Sequence, residues 1–219
     1  MSVILGSARS DFGTPKAGDQ NGKEVSTQPY YTHSQGYWLG FEPLSNSLGE
    51  GLAKSMKDAC DNDNFGYSQP YRMTGKQAVV KCGSIKKVNV PCCVDCSLLV
   101  NLCLYENGHN VPNFNTASEP SVLRKTGLFR EIKVTKESDI KKVGTILCSP
   151  HKGHTVIVVS VGKTTTKKKS NEDIVKEVIA GKWGNGNARK SKLTKAGYNY
   201  EVIRDMVNKE LKKKWSILI

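Results

Sequence analysis

Between Leu48 and Cys60 the apolar residues Leu48, Leu52, Met56 and Ala59 recur at helical spacing, and the polar run Asp61-Asn62-Asp63-Asn64 stops the pattern. Asp95 to Tyr105 differs, because Leu98, Leu99, Leu102, Cys103 and Leu104 fill most of a helix circumference, which predicts a helix buried in the core. Glu24 to Tyr31 is rich in β-formers and reads as a short strand after the turn-rich stretch Gly13 to Gly22. Gly144 to Leu147 and Thr155 to Val161 are β-rich runs on either side of a turn at Pro150 to Gly153. The second, Thr-Val-Ile-Val-Val-Ser-Val, is apolar on both faces and predicts a central strand. Helix, buried helix, strand, turn and central strand in this order predict an α+β fold with helices packed on a sheet.

A second pattern begins after Gly162. Ser170 with Asp173 forms an imperfect capping box, followed by Ile174, Val175, Val178 and Ile179 on one helical face and Gly181 as a stop. A further helix is expected over about 187–196 with Gly197 as its cap, and a third after Asn199 with Val202, Ile203, Met206, Val207 and Leu211. The domains expected are therefore 1–162, a basic linker at 163–170, and a small three-helix bundle over 171–214.

Charge sharpens that division. The 219 residues carry a net charge of +13, and fifteen Lys and Arg against six acids place +9 of it between Gly162 and Ile219. Such an excess favours a polyanion: nucleic acid, an anionic membrane surface or an acidic wall polymer. Basic residues interleaved with aromatics on one face, which nucleic-acid binding would need, are lacking. No apolar run is long enough for a membrane span, so no stable membrane insertion is expected, and the N-terminus has no signal-peptide profile. Seven cysteines, an odd number, argue against a disulfide framework.

Candidate chemistry centres on Cys96 at the start of the buried helix, where the partial positive charge of the helix terminus is expected to lower a thiol pKa. A base is needed within hydrogen-bond reach, and the chain offers His33, His109, His151 and His154. His154 is the best placed, immediately before the central strand, with His151 in reserve. Two alternatives stay open: Cys96 as a packing residue, and a zinc site from Cys92, Cys93, Cys96 and His151 or His154. No acidic pair stands in a setting that suggests glycoside hydrolysis.

Asp95-Cys96-Ser97 opening an apolar helix, followed by Gly153-His154-Thr155-Val156-Ile157-Val158-Val159, resembles the papain-like cysteine hydrolases of the bacterial cell wall, the NlpC-type and CHAP amidases and peptidases. Ala8-Arg9-Ser10-Asp11, Gly18 to Val25 and Tyr30-Tyr31 look like the opening of phage-type members. Ile174 to Gly186 with its Trp183-Gly184-Asn185-Gly186, then Arg189, Leu193, Ala196 to Tyr200 and Val207-Asn208, resembles the "Cpl-seven" cell-wall-binding repeat of phage lysins, present once.

These resemblances imply a peptidoglycan hydrolase in which His154 takes the proton of Cys96 and the thiolate attacks an amide of the wall peptide, without metal or organic cofactor. Tyr67 is the candidate for helping backbone amides hold the oxyanion. Family members place a residue that orients the histidine on the following strand, where this chain offers only Thr164, Thr165 and Thr166. Asp19, Gln20 and Glu24 are the substitutes, or the enzyme works as a dyad. In the repeat, Trp183, Asn185, Arg189, Tyr198 and Tyr200 are the candidate wall-binding residues. The partner implied is bacterial peptidoglycan, reached from the host cytoplasm on lysis or as part of a virion.

Overall fold

A computed structural model describes residues 2–10, 16–151, 153–162 and 169–216, and the chain divides into two compact units, Met1–Lys163 and Thr164–Ile219. Thr164, Thr165 and Thr166, with most of the expected linker, lie outside the described residues.

The first unit is α+β. Its sheet contains β1 (Val3–Ala8), β2 (Val25–Pro29), β3 (Trp38–Pro43), β6 (Phe129–Val134), β7 (Ile146–Cys148) and β8 (Thr155–Val161), in the order β2-β1-β8-β7-β3-β6, every pairing antiparallel. β8 lies inside the sheet, as its apolar run predicts, and its alternate side chains enter two separate cores. Ile157 joins the larger core beneath the helices, whereas Val156 and Val158 face the other way, with Val3, Leu5, Trp38, Val134, Ile140 and Leu147.

Helix α1 (Asn46–Cys60) turns Leu48, Leu52, Met56 and Ala59 to the larger core, its start capped by Ser45, whose Oγ accepts the Leu48 amide at 3.0 Å. The short parallel pair of β4 (Phe65–Tyr67) and β5 (Cys92–Val94) stands apart from the main sheet. Between its strands runs α2 (Met73–Cys82), and β5 leads directly into α3 (Cys96–Glu106). Residues 96–104 of α3 are all buried, on every face, in agreement with their unbroken apolar circumference. Helix α4 (Glu119–Thr126) precedes β6.

In the second unit, α5 (Asn171–Ile179), α6 (Gly186–Lys195) and α7 (Tyr200–Ser216) share one small core of Ile174, Val175, Val178, Leu193, Tyr198, Ile203 and Val207. Ser170 Oγ accepts the Asp173 amide at 3.1 Å, so the capping expected for the first of these helices forms.

Candidate active site

Cys96 occupies the first turn of α3, and the side chain of the preceding Asp95 organises that turn. Asp95 Oδ1 accepts the Leu98 amide at 2.7 Å and the Ser97 hydroxyl at 3.0 Å, while Oδ2 receives Arg72 Nη1 at 2.8 Å. The same Nη1 donates to Ser97 Oγ and to the Phe114 carbonyl, each at 3.2 Å. The helix terminus bearing Cys96 is therefore held by charge-assisted bonds from Arg72, which is itself tied to the Phe114 carbonyl.

His154 follows Gly153, whose φ of +116° is a conformation that favours glycine, and its carbonyl accepts the Ser149 amide at 2.9 Å. The next residue, Thr155, begins β8 and turns its amide N–H toward the Cys96 sulfur. The thiol is thus in contact with the residue adjoining the candidate base. An open groove of about 400 Å³ lies alongside, lined by Arg9, Ser10, Gln28, Tyr31, Tyr67, Gly153 and His154. Cys96 sits near enough to Tyr31 and Tyr67 to influence the ionisation of both.

The electrostatics differ from the sequence expectation. Burial pushes the Cys96 thiol up to about 12, and the charges of Asp95 and Glu119 push the same way; the Thr155 and Ser97 amides only partly offset them. Loss of hydration outweighs the helix terminus, and the carboxylate that caps this helix opposes a thiolate. Burial also lowers His154 to about 4, assisted by Arg9 and His33. At neutral pH both the thiol and the imidazole are therefore uncharged. His154 Nε2 is buried without a hydrogen-bond partner.

Of the remaining histidines, His33 lies near enough to His154 to act on it electrostatically. His33 packs its ring edge-on to Trp38 at 4.7 Å, His151 is exposed, and His109 borders a different cleft with Leu44, Leu48 and Leu128. Cys93 Sγ lies 3.3 Å from the Lys16 carbonyl, and among the described residues no three His, Cys, Asp or Glu side chains gather to hold a metal ion.

The N-terminal candidates build a loop. Asp19 Oδ1 accepts the Asn21 and Gly22 amides at 3.1 and 2.8 Å and Oδ2 that of Val25 at 3.2 Å, so both its oxygens are engaged locally. Gln20 is exposed and reaches the Lys16 carbonyl. Glu24 is buried, accepting the Gln20 amide through Oε1 and the Tyr67 amide through Oε2 at 2.8 Å, which fastens this loop to β4. Tyr67 is half-buried, and its hydroxyl accepts Gln69 Nε2 at 3.2 Å.

Two functional-looking residues escaped the sequence reading. Arg72 carries no local signal of its reach to Asp95, and Glu119 lies in Ser118-Glu119-Pro120, which reads as an ordinary helix start. Yet Glu119 is fully buried, its Oε1 accepting the Thr155 hydroxyl at 2.9 Å.

In the second unit, Trp183 is half-buried, meets Tyr198 edge-on at 6.2 Å and donates Nε1–H to Glu177 Oε2 at 3.1 Å. Arg189 donates to the Gly184 carbonyl and to Asn185 Oδ1, both at 2.7 Å, bracing the turn between α5 and α6. Tyr198 belongs to the core, and Tyr200 lies beneath Lys190. Trp183, Lys182, Lys192 and Lys195 line a shallow concavity.

Compared with known families, residues 9–165 match the Endolysin-like domain and residues 172–211 match the CW_7 repeat, a cell-wall-binding repeat. No curated protein and no solved structure matches the chain. Since the first match covers most of its length, the chain belongs to the endolysin-like domain family, and the attached cell-wall-binding repeat suggests a peptidoglycan hydrolase.

Proposed function

We propose that the protein hydrolyses an amide bond of the peptidoglycan peptide stem by Cys-His nucleophilic catalysis, as an N-acetylmuramoyl-L-alanine amidase or an endopeptidase. The observation that carries this reading is the approach of the Thr155 amide to the Cys96 sulfur, which brings the thiol to the residue next to His154, itself part of the groove lining. A buried helix bearing the thiol, packed on an antiparallel sheet whose inner strand follows the imidazole, supports a papain-like arrangement.

With both groups neutral at rest, His154 takes the Sγ proton as the C–S bond forms on the substrate carbonyl. The negative charge passes to the carbonyl oxygen, where the backbone N–H of Cys96 and the Tyr67 hydroxyl are the donors; Tyr67 accepts from Gln69 and so keeps its own proton available. The imidazolium returns the proton to the leaving amine as the C–N bond breaks. Water, deprotonated by His154, then cleaves the thioester and restores the thiol.

Residues 1–162 are the catalytic domain in this reading, 163–170 a linker and 171–214 a three-helix wall-binding module. Trp183, Asn185, Arg189 and Tyr200 are assigned to ligand contact, with Tyr198 backing the indole. The test is clearing of purified cell walls by Cys96→Ala and Cys96→Ser, with mass spectrometry of the products. Loss of clearing in both is expected. New amino termini on the stem would identify an endopeptidase and free lactyl groups an amidase. Undiminished clearing by Cys96→Ala would discard the cysteine mechanism and leave a wall-binding role.

A further inference from the structure

The residues on either side of His154 are held by one short segment. Gly153 donates its amide N–H to Thr116 Oγ1 at 3.2 Å, and Thr155 donates its hydroxyl to Glu119 Oε1 at 2.9 Å. Two residues before Thr116, the Phe114 carbonyl accepts Arg72 Nη1, the same nitrogen that bonds Asp95 and Ser97 on either side of Cys96. Residues 114–119 therefore touch both neighbours of the imidazole directly and both neighbours of the thiol through one guanidinium.

The segment is itself well anchored. Phe114 is buried in the main core, the Asn101 side chain of α3 donates to the Pro112 carbonyl at 3.1 Å, and Asn115 Oδ1 accepts the Ala117 and Ser118 amides. Glu119 then starts α4 wholly out of solvent. Its Oε1 is bonded to Thr155, while Oε2 is buried with no nitrogen or oxygen partner, and the Cys148 thiol is the further side chain in hydrogen-bonding reach of the carboxyl. A half-satisfied carboxyl costs stability, and an apolar side chain would fill that space more favourably. Its retention beside the reacting atoms calls for a functional reason.

We propose that residues 114–119 are the positioning element of the Cys96–His154 pair: Thr116 holds the Gly153 backbone and Glu119 the Thr155 side chain on either side of the imidazole, and Phe114 fixes the thiol's helix terminus through Arg72. Holding the base by its two chain neighbours takes the place of a third side chain bonded to the ring. This rests on the assignment of Cys96 and His154 as the reacting pair.

The groups facing Glu119 are Thr155 of β8, Cys148 of β7, and Cys96 and Asp95 at the start of α3. Burial raises Glu119 to about 8, so at neutral pH it is uncharged and adds no repulsion as the thiolate forms. Once ionised it opposes that thiolate.

The experiment uses the full chain carrying Thr116→Val, Glu119→Ala or Glu119→Gln. It reads kcat and KM on purified walls, and the rate at which iodoacetamide alkylates Cys96 by peptide mapping, from neutral pH to above 8. Thr116→Val and Glu119→Ala should lower kcat by roughly ten- to a hundredfold with KM little changed, as expected for a misplaced reacting group. Both should alter Cys96 alkylation. Glu119→Gln should recover most of what Glu119→Ala loses and make the rise of alkylation with pH steeper around pH 8, where ionisation of Glu119 flattens it in the wild type. Folded variants with wild-type kcat and alkylation would overturn the proposal, and if Glu119→Ala fails to fold, Thr116→Val in the partly exposed loop decides alone. Cys96→Ala separates the two ideas. Retained clearing there defeats the nucleophile assignment, whereas its loss alongside unaffected 114–119 variants defeats only the positioning role.

Discussion

Arg72 Nη1 lies 2.8 Å from Asp95 Oδ2, an ion pair largely sheltered from solvent that joins the start of α2 to the cap of the helix bearing the thiol. The pair is useful because of what else each partner holds: Asp95 caps Leu98, and Arg72 reaches Ser97 and Phe114. Removing the guanidinium leaves a mostly buried carboxylate and a carbonyl short of donors. Arg72→Met should therefore destabilise the first unit by about 1–3 kcal/mol, measured by urea unfolding. Asp95→Asn keeps the cap but removes one of the charges that raise the thiol, so Cys96 should alkylate at lower pH than in the wild type. Unchanged alkylation would show that burial alone governs the sulfur.

Two buried groups give the stability a defined pH dependence. His154 falls from 6.5 to about 4 on folding, so between those values the unfolded chain binds more protons and stability rises with pH. Glu119 rises from 4.5 to about 8, so between those values the folded chain binds more protons and stability falls with pH. The opposing slopes overlap between about 4.5 and 6.5, leaving a plateau there, an acid decline below it and an alkaline decline from about 6.5 to 8. Glu119→Gln should abolish the alkaline decline while leaving the acid one. Thermal melts across this range measure both, and an alkaline slope that survives in the Gln variant would mean another group titrates.

Gly66 in β4 is pressed against the N-terminal loop, where an added Cβ would stand 2.2 Å from the Gly18 carbonyl oxygen and 2.9 Å from Glu24 Oε2. Backbone cannot yield cheaply at that distance. Gly66→Ala is expected to cost about 1–3 kcal/mol and to move Tyr67, whose amide depends on Glu24. Wall clearing should fall more than the loss of folded protein accounts for. A variant as active per folded molecule as the wild type would remove Tyr67 from the oxyanion site.

In the second unit, Trp183→Phe keeps an aromatic face beside Tyr198 but loses the bond to Glu177. Co-sedimentation with purified walls should weaken moderately for Trp183→Phe and strongly for Trp183→Ala, while the melting of the first unit is unaffected. Equal binding by all three proteins would place the ligand contact away from the indole.

Much of this architecture is legible in the chain because single elements carry one-sided or all-round apolar patterns. Helices α1, α3 and the three C-terminal helices follow from residue spacing, as does the inner position of β8. Strand β3 shows no period of two, because Trp38, Gly40, Phe41 and Glu42 are all buried, and α2 buries only Gly75, Ala78 and Val79, too little for a helical stripe. At the candidate site, the positions of Cys96 and His154 at the starts of their elements follow from local sequence. The direction of the thiol shift does not, since burial depends on how distant segments close over the sulfur. Arg72 and Glu119 were hidden for the same reason: a charged residue beside a turn looks solvated until the fold covers it.

The first unit begins and ends at one place. Strand β1 pairs with β8, and the amide of Gly162 donates to the carbonyl of Ser2 at 2.8 Å. The unit thus has the geometry of an insertable cassette: it can be spliced into a surface loop of another protein, or its two ends joined and the chain reopened elsewhere, without stretching either attachment. Trimming is the opposite case. β1 and β8 are neighbours inside the sheet, so removing either end takes out an interior strand and exposes the other, and shortened versions should be designed by cutting loops in place of ends.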